Sequence, residues 1–409
     1  MITIEDALAH CLEVARPLPA VRCAVPEARG AVLASDAVSA LDLPPFPQSA
    51  MDGYAVRCAD IAAATDDAPA TLPLAGEVAA SIQGQRAQLR PGQAVRIFTG
   101  GLVPDGTDAV VRQEDVAAGD GVASFHAPAA DGKNIRRRGE EIAAGTPLLR
   151  AGTRLTAGRV AALAAAGLAE IDVRPLPRVH VLVTGNEVVP ASADLPLGAV
   201  PDANGPLLAG WLAERGVTDV TVRYVHDDES ELRAAIADSL AGGDLVVTTG
   251  GVSVGEHDLV IPVATSLGVE QVFWRVRQKP GKPLYLGVSE AGVPLLGLPG
   301  NPGATLVGAA VYIRRLIDLL QGAAAPGPQW RTAIADSDLR GDAARATWVR
   351  VVRRVDDEGR VCVAPSDHQA SHMLSNLCEA NAFVHLPAGT ERVPAGTPVR
   401  WLPIAGGED

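Results

Sequence analysis

Between residues 178 and 321, short apolar runs alternate with stretches of helical period, the pattern of a doubly wound parallel sheet. The spacing predicts strands over 179–183, 220–225, 244–247, 269–276 and 293–296, with helices over 206–215, 230–241, 257–267 and 304–320. Asp228 stands three residues ahead of Glu231 at the start of the second helix, which is the spacing of a capping box. Residues 43–139 differ: they have few helical periods, many turn signals and alternating runs at 93–98 and 108–114, so a β-rich module is expected. The flanking pieces each hold a helix, the first amphipathic and capped by Thr3, and are expected to pack together around the module as an insertion. After the GAAAPGP linker at 322–328, alternation over 347–355 and 381–386 predicts a small C-terminal β domain. The expected organisation is therefore multidomain α/β plus β: a discontinuous helical/β linker domain (1–42 with 141–175), a β-rich inserted domain (43–140), a central α/β domain (176–322) and a C-terminal β domain (323–409).

In an open α/β sheet, ligands bind outside the carboxyl ends of the strands. The loops that follow the expected strands are rich in chemistry: TGNE (184–187), HDD (226–228), TTGGVSVGEHD (248–258), QKPGKP (278–283) and LPGNPG (298–303). They should converge on one crevice lined by Glu187, Asp227 or Asp228, Asp258, Lys279 and Lys282. Gly250, Gly251 and Gly255 allow backbone N–H groups to approach an anion closely, while Glu256 and Asp258 offer the hard oxygens that a magnesium-type cation prefers. The motif is neither a Walker loop nor a dinucleotide fingerprint. KPGKP fixes two ammonium groups near each other, which favours a bound oxyanion, and LPGNPG presents N–H groups at a helix start. Outside this domain, an Asp-Gly turn presents Asp52 and a glycine bend presents Thr99 (FTGG). RRRGEE (136–141) reads as a solvated, self-compensating run.

Composition narrows the function. With 35 basic against 48 acidic residues the net charge is −13, which argues against a general nucleic-acid binder. No apolar run approaches the roughly 18 residues of a membrane span, and the acidic N-terminus does not read as an export signal, so the expectation is a cytoplasmic protein. The five cysteines show no metal-finger spacing, the histidines form no HExxH, and no GxSxG elbow is present. Covalent catalysis is poorly supported, and metal and electrostatic chemistry is expected instead.

Taken together and in order, PPFPQSAMDGYAVR, IFTGGLVPDGTDAVV, RRRGEE, TTGGVSVGEHD, KPGKP and GLPGNP resemble the molybdopterin molybdenumtransferase (MoeA) family, which includes the E domain of gephyrin. The resemblance runs essentially the whole length of the chain. It implies a central molybdopterin-binding domain like that of the molybdopterin adenylyltransferases (MogA-like), an elongated homodimer, and a cleft shared between subunits. The implied reaction inserts molybdate into adenylylated molybdopterin, with release of AMP and assistance from Mg2+. By motif, Asp52 and Thr99 would reach the partner's cleft, and Glu187, Asp227 or Asp228, and Asp258 would hold magnesium and the phosphoanhydride. Lys279, Lys282, Pro299 and Pro302 would shape the end that takes the pterin phosphate and molybdate, with Arg350 and Ser371 on the oxyanion. Gly250, Gly251, Ser253, Gly255 and Asn301 complete the implied substrate-binding set. The chain departs from the family pattern at Gly101, where alanine is usual, and at Glu141, where aspartate is common. Implied partners are an adenylyltransferase and proteins of molybdoenzyme maturation. Two other readings are a gephyrin-like scaffold, against which the complete acid and lysine set argues, and adenylylation of the pterin itself, which would require ATP.

Overall fold

The computed structural model describes residues 1–82, 86–191, 194–253 and 258–404. At its centre is a six-stranded sheet in the order Val220–Val225, Val179–Thr184, Leu245–Thr249, Pro294–Leu298, Tyr285–Val288, Glu270–Trp274. The first four strands run parallel, and Leu245–Thr249 is buried along its whole length, as a strand covered on both faces must be. Helices Asn204–Ala213, Glu229–Gly242, Val260–Ser266 and Pro302–Gly308 follow the parallel strands, the last continuing through a π-helical turn, Ala309–Ile313, into Arg314–Leu320. One strand was not expected. Tyr285–Val288 pairs antiparallel with both Pro294–Leu298 and Glu270–Trp274, because the connection Ser289–Val293 is too short for a parallel crossover.

The first helix, Ile4–Val14, has the expected Thr3 cap, with Asp6 closing a reciprocal capping box. Its buried face, Ile4, Ala7 and Cys11, joins the core of the α/β unit beside Phe273 and Leu316. The flanking strands behave differently: Val21–Ala24 and Val32–Leu33 both pair with Glu170–Arg174, and Ala37–Val38 pairs with Pro147–Leu149 around a separate small core. Between them lies a six-stranded β unit that runs from Ala109–Arg112 to Val116–Gly119 in sheet order.

The C-terminal strands close into a barrel, in which Ala346–Val355 pairs with both Val361–Pro365 and Ala382–Leu386. A two-residue strand from the α/β unit, Gln278–Lys279, adds to the barrel alongside Ala346 and Thr347. The loop that carries the lysines is thereby hydrogen-bonded to a different unit from the one that carries the acids.

Candidate functional site

The carboxyl ends of the four parallel strands open into a cavity of about 660 Å³ lined by Glu187, Asp202, Asp227, Asp258, Gly250, Gly251, Ser253 and Pro302. Beside it is a second cavity of about 780 Å³, lined by Lys279, Lys282, Arg340, Arg345, Asp338 and Ser371. Pro283, Pro299 and Asn301 line both. The single crevice expected from the sequence is thus two adjoining chambers, one acidic and one basic, divided by a proline-rich sill. Gly255 and Glu256 lie outside the described residues, as does the predicted start of the helix at 257.

Local packing explains the glycines. Gly250 has φ +101, and a Cβ there would sit 2.7 Å from the Thr184 hydroxyl; a Cβ on Gly251, at φ +65, would meet Val260 at 2.6 Å. Both positions therefore require glycine for close packing at the mouth of the strands. The Gly250 N–H donates to the Leu298 carbonyl, so it serves the sheet edge and not a ligand.

The adjacent acids separate. Asp228 caps the helix Glu229–Gly242 by accepting from the Glu231 N–H, and the Ser230 hydroxyl and that N–H hold its carboxyl below the usual carboxylate range. It does not line the acidic cavity, which takes Asp227 instead. Asp227 is held by a pair of bonds with Asn186: its N–H donates to the Asn186 side chain at 3.0 Å, and its carboxylate accepts the Asn186 N–H at 3.4 Å. Glu231 does not complete the capping box, since its carboxylate bonds His226. Among the described residues no three His, Cys, Asp or Glu side chains gather closely enough to cage a metal ion.

Arg350, expected on the oxyanion, lines neither cavity. It is 3% exposed, and its guanidinium donates to the carbonyls of Met373 (2.6 Å), Ala370 (2.7 Å) and His368 (2.9 Å). Burial lowers its pKa. Arg350 therefore braces the loop that carries Ser371, whose hydroxyl accepts from the Asn301 side chain at 3.1 Å. Lys279 is 55% exposed and lies 3.8 Å from Asp342. Lys282 faces the same cavity.

Asp52 and Thr99 form a pair in the β-rich unit: the Thr99 N–H and hydroxyl both donate to the Asp52 carboxylate at 2.7 Å. Those two bonds hold the carboxyl below its ordinary value. Neither residue lines a cavity at the strand ends of its own chain. RRRGEE is exposed, but its arginines are compensated from outside the run: Arg138 pairs with Asp42 and Arg137 lies 3.9 Å from Asp131, while within the run the Arg137 N–H donates to Glu140.

Sequence reasoning missed Asp202, Arg340 and Arg345. Asp202 is buried, accepts the N–H groups of Asn204 and Gly205, and takes the Tyr224 hydroxyl at 3.1 Å. An aspartate two residues ahead of a helix start is an Asx-turn signal that could have found it. Arg340 comes from the strand Leu339–Asp342 of a two-stranded sheet beside the barrel and Arg345 from the turn that follows, where the sequence offers nothing to tie them to the α/β loops.

Family models match three stretches of the chain: "MoeA N-terminal region (domain I and II)" over residues 2–167, "Probable molybdopterin binding domain" over 180–318, and "MoeA C-terminal region (domain IV)" over 332–404. The chain is 34% identical over 400 residues to Molybdopterin molybdenumtransferase 2 of Mycobacterium tuberculosis, covering 96% of each protein. It is 36% identical to Molybdopterin molybdenumtransferase of Synechococcus elongatus, covering 97% of each. Its structure is similar to that of the molybdopterin biosynthesis moeA protein from Pyrococcus horikoshii, with a TM-score of 0.81 and 26% identity over 98% of this chain and 99% of the other.

Proposed function

Because the chain belongs to the molybdopterin molybdenumtransferase family, we propose that its two chambers receive the two ends of one reaction: adenylylated molybdopterin with its phosphoanhydride over the acids, and molybdate over the lysines. The protein is a transferase of molybdenum cofactor synthesis. The observation that carries the finer reading is the division of charge across Pro299 and Asn301, with acids on one side and Lys279, Lys282, Arg340 and Arg345 on the other.

Molybdate, as an anion, is attracted to the ammonium groups of Lys279 and Lys282, and the braced Ser371 hydroxyl offers it a polar contact. Insertion exchanges molybdate oxygen, which leaves as water with the thiol protons, for the two sulfurs of the pterin dithiolene, and hydrolysis of the phosphoanhydride by water releases AMP and leaves the phosphate on the pterin. The leaving phosphate develops charge as it departs, which the acidic chamber alone cannot neutralise. Magnesium keeps several waters and takes only one or two carboxylates together with substrate phosphates, so Glu187, Asp227 and Asp258 fit it without a preformed cage. When bound it would supply that neutralisation. Asp258 and Asp227 reach the chamber from two different strand ends and so bracket the phosphates from two sides, while Asn186 keeps the Asp227 backbone in place.

Since the Asp52–Thr99 pair stands away from the chambers of its own chain, we assign it to the partner subunit's cleft in a homodimer. The five free thiols suit a reducing compartment, and we take the cytoplasm as its site of action. No helix among the described residues is long and apolar enough to cross a membrane. An adenylyltransferase would supply the nucleotide-bearing pterin, and molybdoenzyme maturation would consume the product.

The deciding experiment follows AMP release from purified protein given adenylylated molybdopterin, magnesium and molybdate, for the wild type and for Asp52→Ala and Asp258→Ala. Release by the wild type alone, without ATP, supports the reading. Binding without cleavage under any divalent cation would reduce the protein to a scaffold, and a requirement for ATP would make it an adenylyltransferase.

A further inference from the structure

Beneath the lysine turn lies a buried polar network that the reaction itself does not call for. Gln278 is 0% exposed. Its side-chain carbonyl accepts from the Tyr312 hydroxyl at 2.8 Å and from the Trp348 indole N–H at 3.3 Å, while its amide donates to the Gly281 carbonyl at 3.0 Å. These three bonds reach three separate elements: the long helix, the barrel, and the Lys279–Lys282 turn.

We propose that Gln278 is a positioning residue that fixes the backbone carrying Lys279 and Lys282 and so sets the affinity of the basic chamber for its oxyanion. The proposal rests on the reading above that these lysines receive molybdate. A buried carboxamide is tolerated only when its donors and acceptors are met, so the network holds the side chain in one place. That place is built for it. Gly281 has φ +89, and a Cβ there would stand 2.8 Å from the Gln278 amide nitrogen, so the turn omits a side chain where the amide lies. Tyr312, itself wholly buried, projects from the π-helical turn Ala309–Ile313. Such turns re-aim a side chain that a regular helix would point elsewhere. The backbone on either side is also tied down, since Gln278 and Lys279 pair with Ala346 and Thr347 of the barrel.

Two ammonium groups on one short turn repel each other, a repulsion that the Asp342 carboxylate, 3.8 Å from Lys279, eases at one end of the turn. Holding the turn in its binding shape beforehand removes an ordering cost that molybdate would otherwise meet on arrival. Gln278 borders the basic cavity but is wholly buried, its side chain engaged by the network and not offered to substrate. Its effect should therefore fall on capture of the oxyanion and not on the chemical step.

The test measures AMP release against molybdate concentration at saturating adenylylated molybdopterin and magnesium, with melting temperature in parallel, for Gln278→Met, Gln278→Glu, Tyr312→Phe and Lys282→Ala. Gln278→Met fills the same space but leaves Tyr312, Trp348 and Gly281 unmatched, and it should raise the molybdate KM roughly five- to tenfold with kcat within about twofold. Gln278→Glu keeps the acceptor for Tyr312 and Trp348 but sets a carboxylate against the Gly281 carbonyl in a wholly buried site, so it should raise the molybdate KM at least as far as Gln278→Met. Tyr312→Phe should raise KM by about two- to threefold. If Lys282→Ala raises the molybdate KM while Gln278→Met lowers only the melting temperature, Gln278 is structural and the inference is overturned. If Lys282→Ala leaves KM unchanged, the reading of the basic chamber fails and the inference falls with it. Should Gln278→Met not fold, Tyr312→Phe decides alone, and an unchanged KM overturns the proposal.

Discussion

Asp227 and Asp228 are neighbours in the chain and point to different tasks. The helix start claims Asp228, since a carboxylate at the cap accepts an N–H that would otherwise have no partner. Asp227, one residue earlier, still belongs to the loop and turns toward the cavity. Two single substitutions should separate the roles. Asp228→Ala should lower the melting temperature slightly and leave AMP release near wild type, whereas Asp227→Ala should cost about 10²-fold or more in AMP release with melting unchanged. Equal losses of activity would mean that the cap is itself needed to hold the loop. Arg350 shows a related economy: a basic residue near an expected anion site donates to three carbonyl oxygens of the loop that bears Ser371.

At the level of elements, the long C-terminal helix of the α/β unit carries a buried charge that organises its neighbours. Asp318, 2% exposed, accepts from Arg154 of the linker region at 2.6 Å, from Arg314 at 2.8 Å and from the Gly327 N–H at 2.9 Å. Removing the carboxylate takes away an acceptor shared by two partly buried guanidinium groups and the Gly327 N–H, so Asp318→Ala should destabilise the fold by about 1–3 kcal/mol in denaturant unfolding, while Asp318→Asn, which keeps part of the bonding, should cost less. The parallel strands and their helices were legible in the sequence because their periods are regular and their ends carry caps and glycines. Tyr285–Val288 was not, since KPGKP looks like a loop end and nothing in a four-residue apolar run tells an antiparallel strand from a linker. Thr3 announced the first helix, but the surface that its buried face covers depends on contacts with Phe273 and Leu316, far away in sequence. The acids and lysines that line the two cavities were likewise readable from their loops. Their separation into two chambers was not, because the far wall of the basic one, with Arg340, Arg345 and Ser371, comes from the C-terminal region, distant in sequence from the lysine loop.

For the whole molecule, the placement of Asp52 and Thr99 apart from the strand-end chambers makes a sharp demand on assembly. If each cleft is completed by the partner subunit, two variants that are inactive alone should rescue one another. Mixing equal amounts of Asp52→Ala and Asp258→Ala protein after subunit exchange should restore roughly a quarter of wild-type AMP release, because half of the dimers would be mixed and each mixed dimer keeps one intact cleft. No recovery, with exchange confirmed by mass spectrometry, would put Asp52 to work within its own chain or outside the reaction altogether. The short parallel pairing of Gln278 and Lys279 with Ala346 and Thr347 carries a different kind of consequence. On the reading that this turn meets the oxyanion, it answers to two folding units at once, so substitutions deep in the barrel, touching no ligand, should register as changes in what the protein captures. The seam between those units in the sequence is no seam in the chemistry.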